Sequence, residues 1–121
     1  MPRILTASDG SVRIVSTTTT TKLAERMRVA AKVLAEALPP GFNAAAPTDI
    51  LLALFVAEED AHYPAETEVG GPPATTERWL AALAQAGLIE RHDGLVALSK
   101  IGHETVQTML ERLFEAQRRL D

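Results

Sequence analysis

The chain contains no cysteine. That absence removes disulfides, thiolate nucleophiles and every cysteine-containing zinc or iron–sulfur pattern, and it is compatible with a reducing cytoplasm. Long apolar runs are missing too. No stretch approaches the roughly 18 apolar residues of a membrane span. The N-terminal Met1–Ser8 segment has no extended apolar region of the kind a secretory leader carries. A cytoplasmic protein with no membrane partner is expected. An excess of positive charge is also absent: the net charge is -4, whereas non-specific nucleic-acid binders cluster lysine and arginine against the phosphate backbone.

What is present is an ordinary globular composition. The 121 residues are 46% hydrophobic and 23% charged, enough for one domain with a continuous core. The charge is unevenly spread. Residues 1–48 hold six bases against three acids, and the remainder holds six bases against thirteen acids.

Four segments follow from the hydrophobic pattern. In the first, 1–21, two β-prone runs flank Asp9-Gly10, a dipeptide suited to a tight antiparallel turn, and a threonine run follows. In the second, 22–48, Leu23, Met27, Ala30, Leu34 and Leu38 mark one face of a helix that starts near Lys22 and stops at Pro39-Pro40-Gly41. The third, 49–99, opens with a helix from Asp49 that is apolar on every side, hence central in a core. A short helix follows near Pro64–Val69, then a helix over about 74–86 with Trp79, Leu80 and Leu83 inward and Gly87 as a left-handed cap. Two short strands joined by His92-Asp93-Gly94 complete it. The fourth, 100–121, is a long helix after a Ser99 cap. Its stripe of Val106, Met109, Leu110, Leu113, Phe114 and Leu120 is longer than one small domain needs, so a partner helix is its natural complement. The fold class is mainly α with small β-hairpins.

The words Pro72-Pro73, Thr75-Thr76, Arg78-Trp79-Leu80, Leu83, Ala86-Gly87-Leu88-Ile89-Glu90-Arg91, Leu95-Val96-Ala97-Leu98-Ser99 and Gly102 resemble the winged helix-turn-helix of the MarR family of transcriptional regulators. The resemblance spans about Asp49 to Leu120 and leaves the N-terminal hairpin aside. It implies a homodimer on double-stranded DNA, with helix 74–86 in the major groove, the hairpin as a wing, and terminal helices from two subunits in the dimer. The wing here is shorter than the family's, with only His92-Asp93-Gly94 between the strands. The resemblance also suggests a small-molecule effector, though no pocket is legible in the sequence.

The expected DNA contacts are Thr75, Thr76, Glu77 and Arg78 on the helix, with Arg91 and His92 from the wing. Arg78 is suited to guanine and Glu77 to cytosine N4. Each also has a plain alternative: Arg78 can pair with Glu77 or an acid of the preceding loop, and Glu77 can be a solvated charge. Arg26, Arg28 and Lys32, with Arg3 or Arg13 of the hairpin, can reach flanking phosphates or simply face solvent. Trp79 reads as a core anchor. His62, His92 and His103 lack the spacing of known zinc sites, and neither a nucleophile elbow nor a phosphate-cradling glycine loop is present. No enzyme, metal or cofactor is expected. The competing class is a winged helix that serves as a protein-interaction module, favoured by Glu58, Glu59, Asp60, Glu66 and Glu68 where a phosphate backbone would pass.

Overall fold

The computed structural model describes residues 2–6 and 12–16 as backbone, and 19–121 with their side chains. Strand β1 (Pro2–Thr6) pairs antiparallel with β2 (Val12–Ser16). The Asp9-Gly10 turn expected between them, and the side chains of Arg3 and Arg13, lie outside the described residues.

Helix α1 (Thr19–Ala37) starts three residues before Lys22, taking Thr19–Thr21 into its first turn. Threonine's helix penalty is a fraction of a kcal/mol, on the order of 0.5 kcal/mol, which a 19-residue helix packed on a neighbour easily offsets. The neighbour is α4 (Lys100–Arg118), which runs antiparallel to it: Arg26 pairs with Asp121 at one end, and Glu36 with Arg112 at the other. The expected face is covered only in its C-terminal part, where Leu38 is buried and Ala30 and Leu34 are half-buried. Val33 is buried and Val29 half-buried, while Leu23 and Met27 stay exposed.

Helix α2 (Ala45–Glu59) begins two residues before Pro47, which tolerates its missing N–H in a first turn whose donors have no helical partner. The buried Thr48 hydroxyl is satisfied by donating to the Phe42 carbonyl at 2.9 Å. Ile50, Leu51 and Leu54 form the centre of the core. The expectation of burial on every side is corrected at Val56, which is exposed because α3, β4 and α4 cover α2 from the other sides.

A 3-10 turn (Glu66–Glu68) leads to α3 (Pro73–Gln85), which buries Thr76, Leu80 and Leu83. Trp79 is half-buried, its ring edge-on to Phe42 with centroids 6.3 Å apart. Past Gln85 the chain reverses at Gly87 (φ 80°), where Leu88 N–H donates to Leu83 O and Gly87 N–H to Ala84 O, the paired bonds of a Schellman cap. Strands β3 (Ile89–His92) and β4 (Leu95–Leu98) pair His92 with Leu95, leaving a two-residue turn of Asp93 (φ 51°) and Gly94 (φ 77°). Both angles are those of a type I′ turn. The outer edge of β4 is covered by Pro64–Glu66, through Val96 N–H to Pro64 O and Glu66 N–H to Gly94 O.

Ser99 caps α4 by accepting from Gly102 N–H at 2.9 Å while its hydroxyl donates to the Gly87 carbonyl. One serine thus ties the start of α4 to the end of α3. Among the described residues no helix is long and apolar enough to cross a membrane. The architecture is mainly helical with two-stranded antiparallel hairpins.

Candidate nucleic-acid interface

Helix α3 is held from beneath by Leu80 and Leu83, so its opposite side faces solvent. Thr75 and Arg78 lie there, together with Ala74, Ala81 and Gln85. Arg78 makes no ion pair among the described residues. Pairing with Glu77 or a loop acid does not occur among the described residues; Glu77 and Glu66 are both engaged by Arg91.

Thr76 is corrected. It is 6% exposed and packs on Gly70, where an added Cβ would lie 2.6 Å from the Thr76 hydroxyl oxygen. Four residues before Leu80 and seven before Leu83, it shares their inward face and cannot reach a base edge. That spacing is the signal in the sequence that identifies it.

Arg91 is not a free side chain at the wing. Its Nε and Nη2 donate to the two carboxylate oxygens of Glu66 at 2.7 and 3.0 Å, and its Nη1 and Nη2 donate to those of Glu77 at 3.1 and 2.6 Å. One guanidinium therefore joins the 3-10 turn, α3 and β3. The period-2 alternation of β3 explains its direction: Ile89 is buried and Arg91 half-buried on the same side, while Glu90 and His92 point outward. The hydrogen bonds from Arg91 hold the Glu66 carboxyl below the ordinary carboxylate value, against the raising effect of partial burial. The same bonds, from Glu66 first and Glu77 second, push Arg91 further up.

A depressed carboxylate pKa stabilises the fold above the group's ordinary value of 4.5 and loses that stabilisation as pH falls through the lower folded value. Thermal melts are therefore expected to drop as pH falls below 4.5, with Glu66→Gln flattening that part of the curve. An unchanged acid limb in Glu66→Gln would show that the clamp does not couple to folding.

Glu77 is thus a paired side chain on the flank of α3, not a free acceptor for cytosine. His92 is 90% exposed at the hairpin tip, its Nε2 3.4 Å from Asp93. Of the bases on α1, Arg26 is tied to Asp121 and Gln117, while Arg28 and Lys32 are exposed and make no ion pair among the described residues. The acidic flank is partly spoken for: Glu66 by Arg91, Glu58 by His103 Nδ1 at 2.7 Å, and Glu68 by His62 at 3.6 Å. His103 also stacks on Phe55 at 5.3 Å. The three histidines lie apart on separate carboxylates, and no group of three or more metal-ligating side chains occurs among the described residues.

The residues assigned to a dimer face divide. Val106 and Met109 are buried in the chain's own core, so they have no surface to offer a second copy. Leu110 and Leu113 are half-buried against that core and Leu120 is half-buried at the end of the helix. Phe114 is 67% exposed, as is Met27 of α1 at 65%. Comparison with known proteins finds no matching family model, no similar curated protein and no similar solved structure.

Proposed function

We propose that the chain is a sequence-specific, double-stranded-DNA-binding transcriptional regulator of the cytoplasm, acting as a homodimer with α3 in the major groove. The observation that carries this reading is Arg78, which makes no ion pair among the described residues, beside Thr75 on the solvent face of a helix anchored by Leu80 and Leu83. The order α2, 3-10 turn, α3, β3–β4 hairpin and α4 supports a winged helix-turn-helix, with the Asp93-Gly94 turn at the wing tip. A second reading, a winged-helix protein-interaction module, draws on one specific observation. In the free protein Arg91 is engaged by Glu66 and Glu77, so Arg78 is the one arginine of α3 and the β3–β4 hairpin that makes no ion pair among the described residues.

The two readings part on salt. A regulator binds the duplex upstream of its own gene with a log–log salt slope of about -0.9 for each phosphate neutralised. Absence of salt-dependent binding at about 50 mM salt, where phosphate contacts are strong, would transfer the assignment to the interaction module. The homodimer is tested separately. Light scattering is expected to give twice the chain mass, and Met27→Glu with Phe114→Glu to halve it, since burying a charge at these exposed apolar positions opposes association. A wild-type chain that already scatters as a monomer would remove the dimer from the proposal.

A further inference from the structure

The guanidinium of Arg91 has two bidentate edges, and they are not equivalent. The Nε–Nη2 edge faces Glu66, whose side chain is 26% exposed. The Nη1–Nη2 edge faces Glu77, whose side chain is 59% exposed. A carboxylate gripped by two parallel N–H groups has the geometry in which arginine also grips the two free oxygens of a phosphodiester. The inner pair is shielded and fixes the guanidinium in space; the outer pair is solvent-screened and correspondingly weak. Glu77 precedes Arg78 on α3, and Arg91 precedes His92 at the hairpin tip, so the outer edge opens where the helix and the hairpin meet.

We propose that the outer edge of Arg91 is a latent phosphodiester site, occupied in the free protein by Glu77 acting as an internal phosphate mimic. This rests on the DNA-binding reading and deepens it. Glu66 keeps the guanidinium oriented throughout, and a backbone phosphate entering between α3 and the hairpin exchanges with the Glu77 carboxylate. The exchange breaks two N–H···O bonds and forms two, so affinity is held down by the competition and by the repulsion of a displaced carboxylate beside the phosphate. Glu77 then raises the threshold for non-specific binding, which every stretch of duplex offers through its phosphates alone.

The test is a salt titration of the full chain against a random-sequence 30-base-pair duplex, an arbitrary length of about three helical turns, using wild type, Glu77→Gln, Arg91→Met and the double variant. Glu77→Gln is expected to bind several-fold more tightly at about 50 mM salt, with the slope steeper by about 0.9 per protomer. Arg91→Met is expected to abolish that gain. Glu90→Gln serves as the control, because Glu90 is exposed beside Arg91 without touching it. Its removal changes the local field whether or not Arg91 is present. Weaker binding by Glu77→Gln, an unchanged slope, or a gain that persists in the Arg91→Met background would overturn the latent site and leave the regulator reading intact.

A second readout does not need DNA. The Arg91 Nε–Hε resonance is expected to shift on adding inorganic phosphate in Glu77→Gln and to stay put in wild type. If that shift occurs while no variant binds duplex, the anion site stands and the regulator reading falls. If phosphate moves neither protein, and no variant gains affinity for the duplex, the latent site is refuted.

Discussion

Gly102→Ala is expected to destabilise the protein by at least about 3 kcal/mol, the upper end of ordinary overpacking, and to lower the melting temperature by roughly 10 °C or more. A methyl group at that position would overlap the Leu88 carbonyl oxygen far inside van der Waals contact distance, and would lie 2.8 Å from the carbonyl carbon and 3.2 Å from the Leu88 Cα. The obstacle is backbone, so no rotamer change relieves it. Nor can the Leu88 carbonyl swing aside cheaply, since it accepts the Ser99 N–H at 3.0 Å, and Ser99 in turn caps α4 and binds Gly87. Moving α4 outward instead would open the core at Val106, four residues on and fully buried. Against a typical total stability of 5–15 kcal/mol, about 3 kcal/mol is a large share.

Two companion variants make the result specific. Ser99→Ala removes only the cap and is expected to cost about 1 kcal/mol. Gly71→Ala, where nothing lies within 4 Å of the added atom and φ is not positive, is expected to be near neutral. A Gly102→Ala protein melting within about 2 °C of wild type, a shift worth less than about 0.5 kcal/mol, would show that α4 does not seat on Leu88 as described.

The local features around this junction are legible in the amino-acid sequence. Gly87, Asp93-Gly94 and Ser99 each express a preference that one or two residues determine: a left-handed cap, a type I′ turn and an N-cap. Segment boundaries read from them hold within a few residues; α2 starts at Ala45 rather than at Asp49, because Pro47 is tolerated in a first turn. Which face of a helix is covered depends on the neighbour and is not local. Leu23 and Met27 share a stripe with Leu34 and Leu38, but α4 approaches from the side of Val29 and Val33. The stripe on α4 is real too, yet Val106 and Met109 serve the core of the same chain and, of that stripe, only Phe114 is exposed.

The candidate interface is half legible for a related reason. Thr75 and Thr76 are chemically identical, and their difference is a rotation of about 100° on the helix, set by 3.6 residues per turn. Extending the Leu80 and Leu83 face by one turn identifies Thr76 as the inward one. Arg91 is similar: the alternation that buries Ile89 also turns Arg91 inward. What alternation cannot supply is the partner. Glu66 lies 25 residues away and Glu77 lies 14 away, and only the tertiary placement of the 3-10 turn against α3 brings both carboxylates onto one guanidinium.

With Thr76 buried and Arg91 and Glu77 joined, the proposed specificity narrows to Arg78, and Arg78→Ala is expected to be the most damaging single change for DNA recognition. A bidentate arginine–guanine contact is worth about 1–3 kcal/mol of discrimination, roughly 5- to 150-fold in affinity. A homodimer loses it at both half-sites; well-separated contacts add, so the combined effect is about 2–6 kcal/mol. Stability should be nearly untouched, because Arg78 is exposed and makes no ion pair among the described residues. Arg112→Ala removes an equal charge that is engaged with Glu36 on the α1–α4 face, and it should leave binding close to wild type. The salt slope separates base from phosphate contact. If Arg78 reads a base, the variant loses affinity for the bound sequence while keeping its slope. If Arg78 grips a phosphate, affinity falls on every sequence and the slope drops by about 0.9 per protomer. An Arg78→Ala protein that binds with wild-type affinity and wild-type slope would mean that α3 is not the reading element, whatever else the protein does to DNA.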